Sequence, residues 1–324
     1  MEEKNSEEFR KKSGRDISIK EGSFASAMDG FGLRFITPYA LALGAGTKQI
    51  GILSSVPTLS GNIAQLFTLR LMRKVSRKNI VFWSVFLQAL MWLPMIFVGT
   101  LYFFYGWSSN IIIIALIIVY TLLIFVGSIA GPAWGSWMKD LVNIKSGEFF
   151  GRRNRIAGTV VLISMIIAGL ILDFFQPAYV FFAFVIIFTF AFCGKMASAY
   201  YFTKQYEPKF KYHPEAHFSF RQFLKKMLFN NFGRFVLLLS FVSFGTAVAS
   251  PFFAVYMLKE IGFSYLFFTI VTFSSVLGVL FFMPLWGRFS DRHGNVVVIK
   301  LTGLLISFVP FLWFSSSYLP ANPV

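Results

Sequence analysis

The chain has 324 residues, of which 56% are hydrophobic, 14% are charged and 43 are Phe. Its mean hydropathy is +0.67, whereas soluble domains run at about 45–50% apolar and about 25% charged, so a soluble globular protein is excluded. The net charge of +16 would suggest nucleic acid in a soluble chain, but the basic residues lie between long apolar runs and nucleic acid is not an expected partner.

Residues 1–21 are polar and charged and are expected to form a disordered cytoplasmic tail rather than a signal peptide. Nine apolar segments of spanning length follow, at about 22–45, 49–69, 80–105, 111–136, 156–173, 177–203, 232–258, 263–286 and 296–316. The fifth is the shortest and could begin nearer Gly151. The segments between them alternate in charge. Of the 30 Lys and Arg, 26 fall in 1–21, 70–79, 138–155, 204–234 and 287–300. Only Lys48 and Lys259 fall in the opposite gaps. This positive-inside pattern puts the N-terminus in the cytoplasm of a multi-pass protein in the cell membrane.

Seven spans contain a proline: Pro38, Pro57, Pro94, Pro132, Pro251, Pro284 and Pro310. Proline removes a donor and bends a helix, which suggests bent helices around a cavity; proline is also simply common in membrane helices. The longest polar stretch divides the chain into a six-helix bundle (22–203), a cytoplasmic linker (204–231) and a partial three-span bundle (232–324). Phe218–Leu228 in the linker reads as an amphipathic stretch along the membrane surface. A weak internal echo joins Lys48–Gly51, after the first span, to Lys259–Gly262, after the seventh. Gly127, Gly131 and Gly135 recur every four residues, a spacing suited to close helix packing. Trp134 and Trp137 read as interfacial anchors, and the single cysteine, Cys193, as a small packing residue.

Charge inside a bilayer costs several kcal/mol unless it faces protein or water, so Asp29, Arg34 and Lys195 are the first candidates for substrate and coupling roles. Arg34 is either a cavity cation for an anionic group or a structural arginine. Asp29 is either a proton-coupling carboxylate or the permanent partner of Lys195, which should lie at similar depth. Lys195 could instead snorkel to the interface. Asn62, Gln65, Gln88 and Tyr120 are neutral polar candidates, as cavity lining or as interhelical glue. Gly44–Lys48 lacks the order of a phosphate-binding loop, and His213-Pro214-Glu215-Ala216-His217 is not a zinc-protease pattern. No cofactor, metal site or catalytic residue is expected.

Gly287-Arg288-Phe289-Ser290-Asp291-Arg292-His293-Gly294-Asn295 resembles the signature loop of the major facilitator superfamily. The equivalent stretch Leu69–Lys78 keeps the basic positions but has Arg73 in place of the acid. Asp140-Leu141-Val142 and Gly147–Arg155 are similar to the family's loop between spans 4 and 5, and Pro38–Gly44 is similar to uncharacterised bacterial and archaeal members. The resemblance implies an all-α fold of two six-helix bundles, here incomplete after the ninth of twelve spans. It implies a secondary transporter of a small solute, proton-coupled or not, working by alternating access in the lipid bilayer and monomeric when full length. It also implies a cytoplasmic gate. Gly287, Asp291, Arg292 and Gly294 would stand on one side, with Arg152, Arg153 and Arg155 at the start of span 5 and Asp140 and Glu148 near them on the other. A non-transporting receptor or assembly scaffold on the same fold is the rival; an enzyme has no motif in its favour.

Overall fold

The computed structural model describes residues 2–142, 146–175, 179–208, 225 and 227–316, and among these every regular element is helical. His213–His217 and most of Phe218–Leu228 lie outside the described residues. The chain divides into two compact units, 1–217 and 218–324. All nine expected spans fall on helices. Among the described residues, six stretches are long and apolar enough to cross a membrane: Arg77–Phe103, Ser109–Leu141, Ser146–Phe175, Val180–Lys204, Asn231–Glu260 and Asn295–Ser315.

In the first unit, α1 runs Glu2–Phe31, so the segment expected to be a disordered tail is helical. Small residues four apart explain how it docks. Cβ atoms at Gly14 and Gly22 would meet the Leu141 and Arg153 side chains, and Ser18 between them is fully buried. The helix then breaks. A 3₁₀ turn covers Leu33–Phe35, and α2 restarts at Ile36–Ala42. Pro38 supplies the reason: in an unbroken helix it would orphan the Arg34 carbonyl and clash with it, whereas in the first turn of α2 it needs no donor. The same logic separates α4 (Arg77–Leu90) from α5 (Trp92–Phe103), where Pro94 sits in the first turn of α5. Only these two of the seven prolines coincide with a break; the others lie within continuous helices.

The unit is completed by α3 (Thr47–Leu71), α6 (Ser109–Leu141), α7 (Ser146–Phe175) and α8 (Val180–Lys204). α1 packs on α7 and α8, while α6 packs on α3 and α4. A buried cluster of Phe35, Tyr39, Trp92, Met95, Phe184 and Phe188 locks the α2 restart to α5 and α8. The Tyr39 hydroxyl donates to the Met95 carbonyl at 2.9 Å, so the one polar atom of that ring is satisfied.

At the end of the bundle holding the α6 C-terminus, Arg77 is 1% exposed although it opens a helix. Its Nη1 donates to Asp140 and to the Ser136 carbonyl, its Nη2 to the Pro208 carbonyl at 2.8 Å, and its Nε to Glu207 at 3.3 Å. Ser76 caps the same helix by accepting from the Asn79 N–H. Trp137, expected as an interfacial anchor, is fully buried, and its Nε1 donates to the Tyr206 carbonyl. Cys193, expected to pack, is exposed.

The second unit holds α9 (Asn231–Val255), a π-helical turn (Tyr256–Glu260), α10 (Tyr265–His293) and α11 (Asn295–Ser316). Phe253 of α9 stacks on Trp313 of α11 at 4.6 Å. The signature segment expected as a loop is helical through His293; only Gly294 breaks the chain, at φ +82°, a conformation that glycine alone adopts freely. The echo does not hold structurally: Lys48–Gly51 opens α3, whereas Lys259–Gly262 closes the π-helical turn.

Candidate functional site

The break in the first span organises the site. With the chain wound into a tighter turn at Leu33–Phe35, Arg34 Nη2 reaches the Asp29 carboxylate at 3.3 Å. Asp29 therefore pairs with Arg34 and not with Lys195. Neither side chain is buried: Arg34 is exposed and Asp29 half-exposed within the unit. Tyr120 on α6 and Lys195 on α8 lie within electrostatic reach of the Asp29 carboxylate. Of the seven substrate and coupling candidates, Asp29 and Arg34 are thus in contact, with Tyr120 and Lys195 near enough to feel the carboxylate.

The other three do not join them. Gln88 is buried against α6, where it occupies the space a Cβ at Gly127 would need. It acts as interhelical packing. Asn62 and Gln65 are exposed on α3, on the side turned away from the buried Gly61, Ala64 and Thr68 that face α6.

A second cluster lies about two turns below Asp29 on the same helix, and sequence reasoning missed it. Glu21 is buried and accepts from Arg153 of α7 at 3.1 Å and from Ser198 of α8 at 2.9 Å. The Arg153 guanidinium also donates to the Ser18 carbonyl and lies over the Trp134 ring, 4.7 Å from its centroid. Glu21 stands just ahead of the first span. Burial pushes its carboxyl up from the ordinary value, against the opposing pull of Arg153 and then Lys195. Glu21, Arg153 and Trp134, with Lys195, Val85 and Phe202, line a cavity of about 250 Å³. Lys195 does not snorkel: it is 8% exposed and lines this cavity. Trp134 likewise faces the cavity rather than anchoring at an interface. The glycine stripe serves close packing at Gly127, where Gln88 fills the space of a Cβ, whereas a Cβ at Gly131 or Gly135 would meet nothing within 4 Å.

The gate candidates separate too. Asp140 is held by Arg77. α7 begins at Ser146, earlier than the shortest reading of the fifth span, so its N-terminal turn holds Glu148, a carboxylate favoured by the helix dipole, and not the arginines. Arg153 is engaged with Glu21, whereas Arg152 and Arg155 are exposed. Gly287, Asp291 and Arg292 lie in the last two turns of α10, ahead of Gly294.

Described residues whose regular elements are all helical, with six stretches among them apolar enough to span and charged pairs inside the first bundle, define a polytopic membrane protein. The sequence profile of the Major Facilitator Superfamily matches residues 22–322, nearly the whole chain, and the chain belongs to that superfamily. It is a membrane transporter in that broad sense; members of the superfamily are transporters rather than enzymes. Comparison with curated proteins finds no match.

Proposed function

We propose that the chain is a secondary active transporter that moves a small solute across the cell membrane by alternating access, with its N-terminus in the cytoplasm. The observation that carries this reading is the interrupted first span with the Asp29–Arg34 pair at its break. Transporters build solute sites at discontinuous helices, because the interruption frees backbone polar groups and re-aims side chains within the membrane. An ion pair left partly exposed inside a span is costly against lipid and suits a wet cavity. Arg34 would hold the solute, and Asp29, with Lys195 and Tyr120 near it, would take part in proton coupling. Asn62 and Gln65 would line the same cavity. Asp291 and Arg292 of α10 would gate the cytoplasmic side against Arg152 and Arg155.

The test is solute uptake into proteoliposomes. The parent is expected to accumulate its solute, and Arg34→Ala to lose at least about tenfold in uptake, as expected when a charged contact is removed. Uptake indifferent to Arg34 would remove this site. No uptake of any solute by the folded protein would favour a receptor or scaffold instead.

A further inference from the structure

The cavity beneath the Asp29–Arg34 pair has its own charge imbalance. Gly194 sits against the backbone of Phe24 and Met28, so Lys195 beside it lies at the depth of that turn, between Glu21 below and Asp29 above. Glu21 is committed to Arg153 and Ser198, and Asp29 to Arg34. Among the described residues, the Lys195 ammonium has no hydrogen bond or ion pair within the chain. The ionisable residues that line the cavity are thus two basic ones, Arg153 and Lys195, against one acidic one, Glu21. A buried ammonium without a counter-ion is costly, and this one lines an open space of about 250 Å³. The apolar part of the lining includes Trp134, Phe202, Val81 and Val85, with Gly131 leaving room for a guest.

We propose that this cavity binds a small organic monoanion, its carboxylate on the Lys195 ammonium and its apolar body against Trp134, Phe202, Val81 and Val85. The proposal deepens the transporter reading by giving the class of solute, and it rests on that reading for the claim that the anion is carried. Arg153, held over the indole face, is the second cation available to the carboxylate. Glu21 keeps that guanidinium in place and excludes a dianion by repulsion. The apolar walls disfavour inorganic anions, which would lose hydration without gaining contacts.

Benzoate is the probe and benzamide its neutral counterpart, each titrated calorimetrically into the full chain purified in detergent. Benzoate is expected to bind saturably and benzamide not at the same concentrations. Lys195→Met is expected to weaken benzoate at least about tenfold, the loss of a charge-assisted contact. It should unfold no earlier than the parent, because it deletes a buried charge that has no partner. Gly131→Leu fills the open space while leaving every charge in place, and is also expected to weaken benzoate. Equal binding of benzamide and benzoate, benzoate binding indifferent to both substitutions, or no benzoate binding by the folded parent would each overturn the proposal. The transporter reading fails separately: Lys195-dependent binding without benzoate flux in proteoliposomes keeps the site and removes transport. Flux of another solute, indifferent to Lys195, with no benzoate binding removes the site and leaves transport standing.

Discussion

Arg77, at the first residue of α4, is buried and donates to Asp140 near the end of α6, while its other donors are taken up by Glu207 and by the Ser136 and Pro208 carbonyls. One guanidinium therefore ties two helices to the segment that leaves α8. The planar fork of arginine suits such a three-way junction, and lysine would satisfy only part of it. Arg77→Ala is expected to cost roughly 3 kcal/mol, because it strands acceptors that are mostly out of water. Asp140 is 41% exposed on its side chain, so Asp140→Asn is expected to cost under about 1 kcal/mol. Thermal unfolding in detergent compares the two; equal losses would deny the junction its role.

Two helical glycines should respond in opposite ways. A Cβ at Gly30 would fall 2.7 Å from the Val161 carbonyl and 2.6 Å from Ser164 Cβ, so Gly30→Ala must push α1 off α7. The expected loss is about 1–3 kcal/mol. Gly135→Ala on α6 meets nothing within 4 Å and should gain about 0.5–1 kcal/mol from helix propensity. Melting temperatures of the two variants against the parent decide it, and a loss at Gly135 would mean that the space beside it is filled by protein.

The exposed polar residues of α3 give a test of where water reaches. With Cys193→Ser as background, Asn62→Cys and Gln65→Cys are expected to react with a membrane-impermeant maleimide far faster than Thr68→Cys, which is fully buried. Lipid-facing positions would be unreactive, so silence at both Asn62→Cys and Gln65→Cys would take them out of the proposed cavity.

The proposed gate predicts that Asp291→Asn shifts the inward/outward balance toward the inward-open state, read by the reactivity of single cysteines on the two sides. Arg152→Ala with Arg155→Ala should reproduce it, and Arg153→Ala should differ, because Arg153 is tied to Glu21 inside the first unit. An unchanged balance in Asp291→Asn would remove the gate.

Much of this architecture was legible because lipid imposes a coarse rule: apolar length locates stretches that fall on helices, six of them long and apolar enough to span among the described residues. Pro38 similarly marks where the first span must break. What escaped was the chemistry at the margin. Residues 1–21 carry so many charges that they read as solvated, and Glu21 disappeared among them. The signal was present in Gly14, Ser18 and Gly22, small residues four apart on the face that docks. The expected Asp29–Lys195 pair had the right depth, but the tight turn at Leu33–Phe35 brings Arg34 closer. A one-dimensional count of residues along a regular helix does not include that turn. Arg77 was hidden for a related reason, since a basic loop residue and a buried junction residue look alike until the partners from α6 and the end of α8 are in place.

If the broken first span with its Asp29–Arg34 pair holds the solute and couples its movement, Asp29→Asn should separate driven transport from exchange. Proton-driven uptake and solute exchange at zero gradient are compared in proteoliposomes for the parent and Asp29→Asn. Driven accumulation is expected to fall at least about tenfold in the variant while exchange persists. An Asp29→Asn protein that keeps both would reduce the Asp29–Arg34 pair to a structural contact.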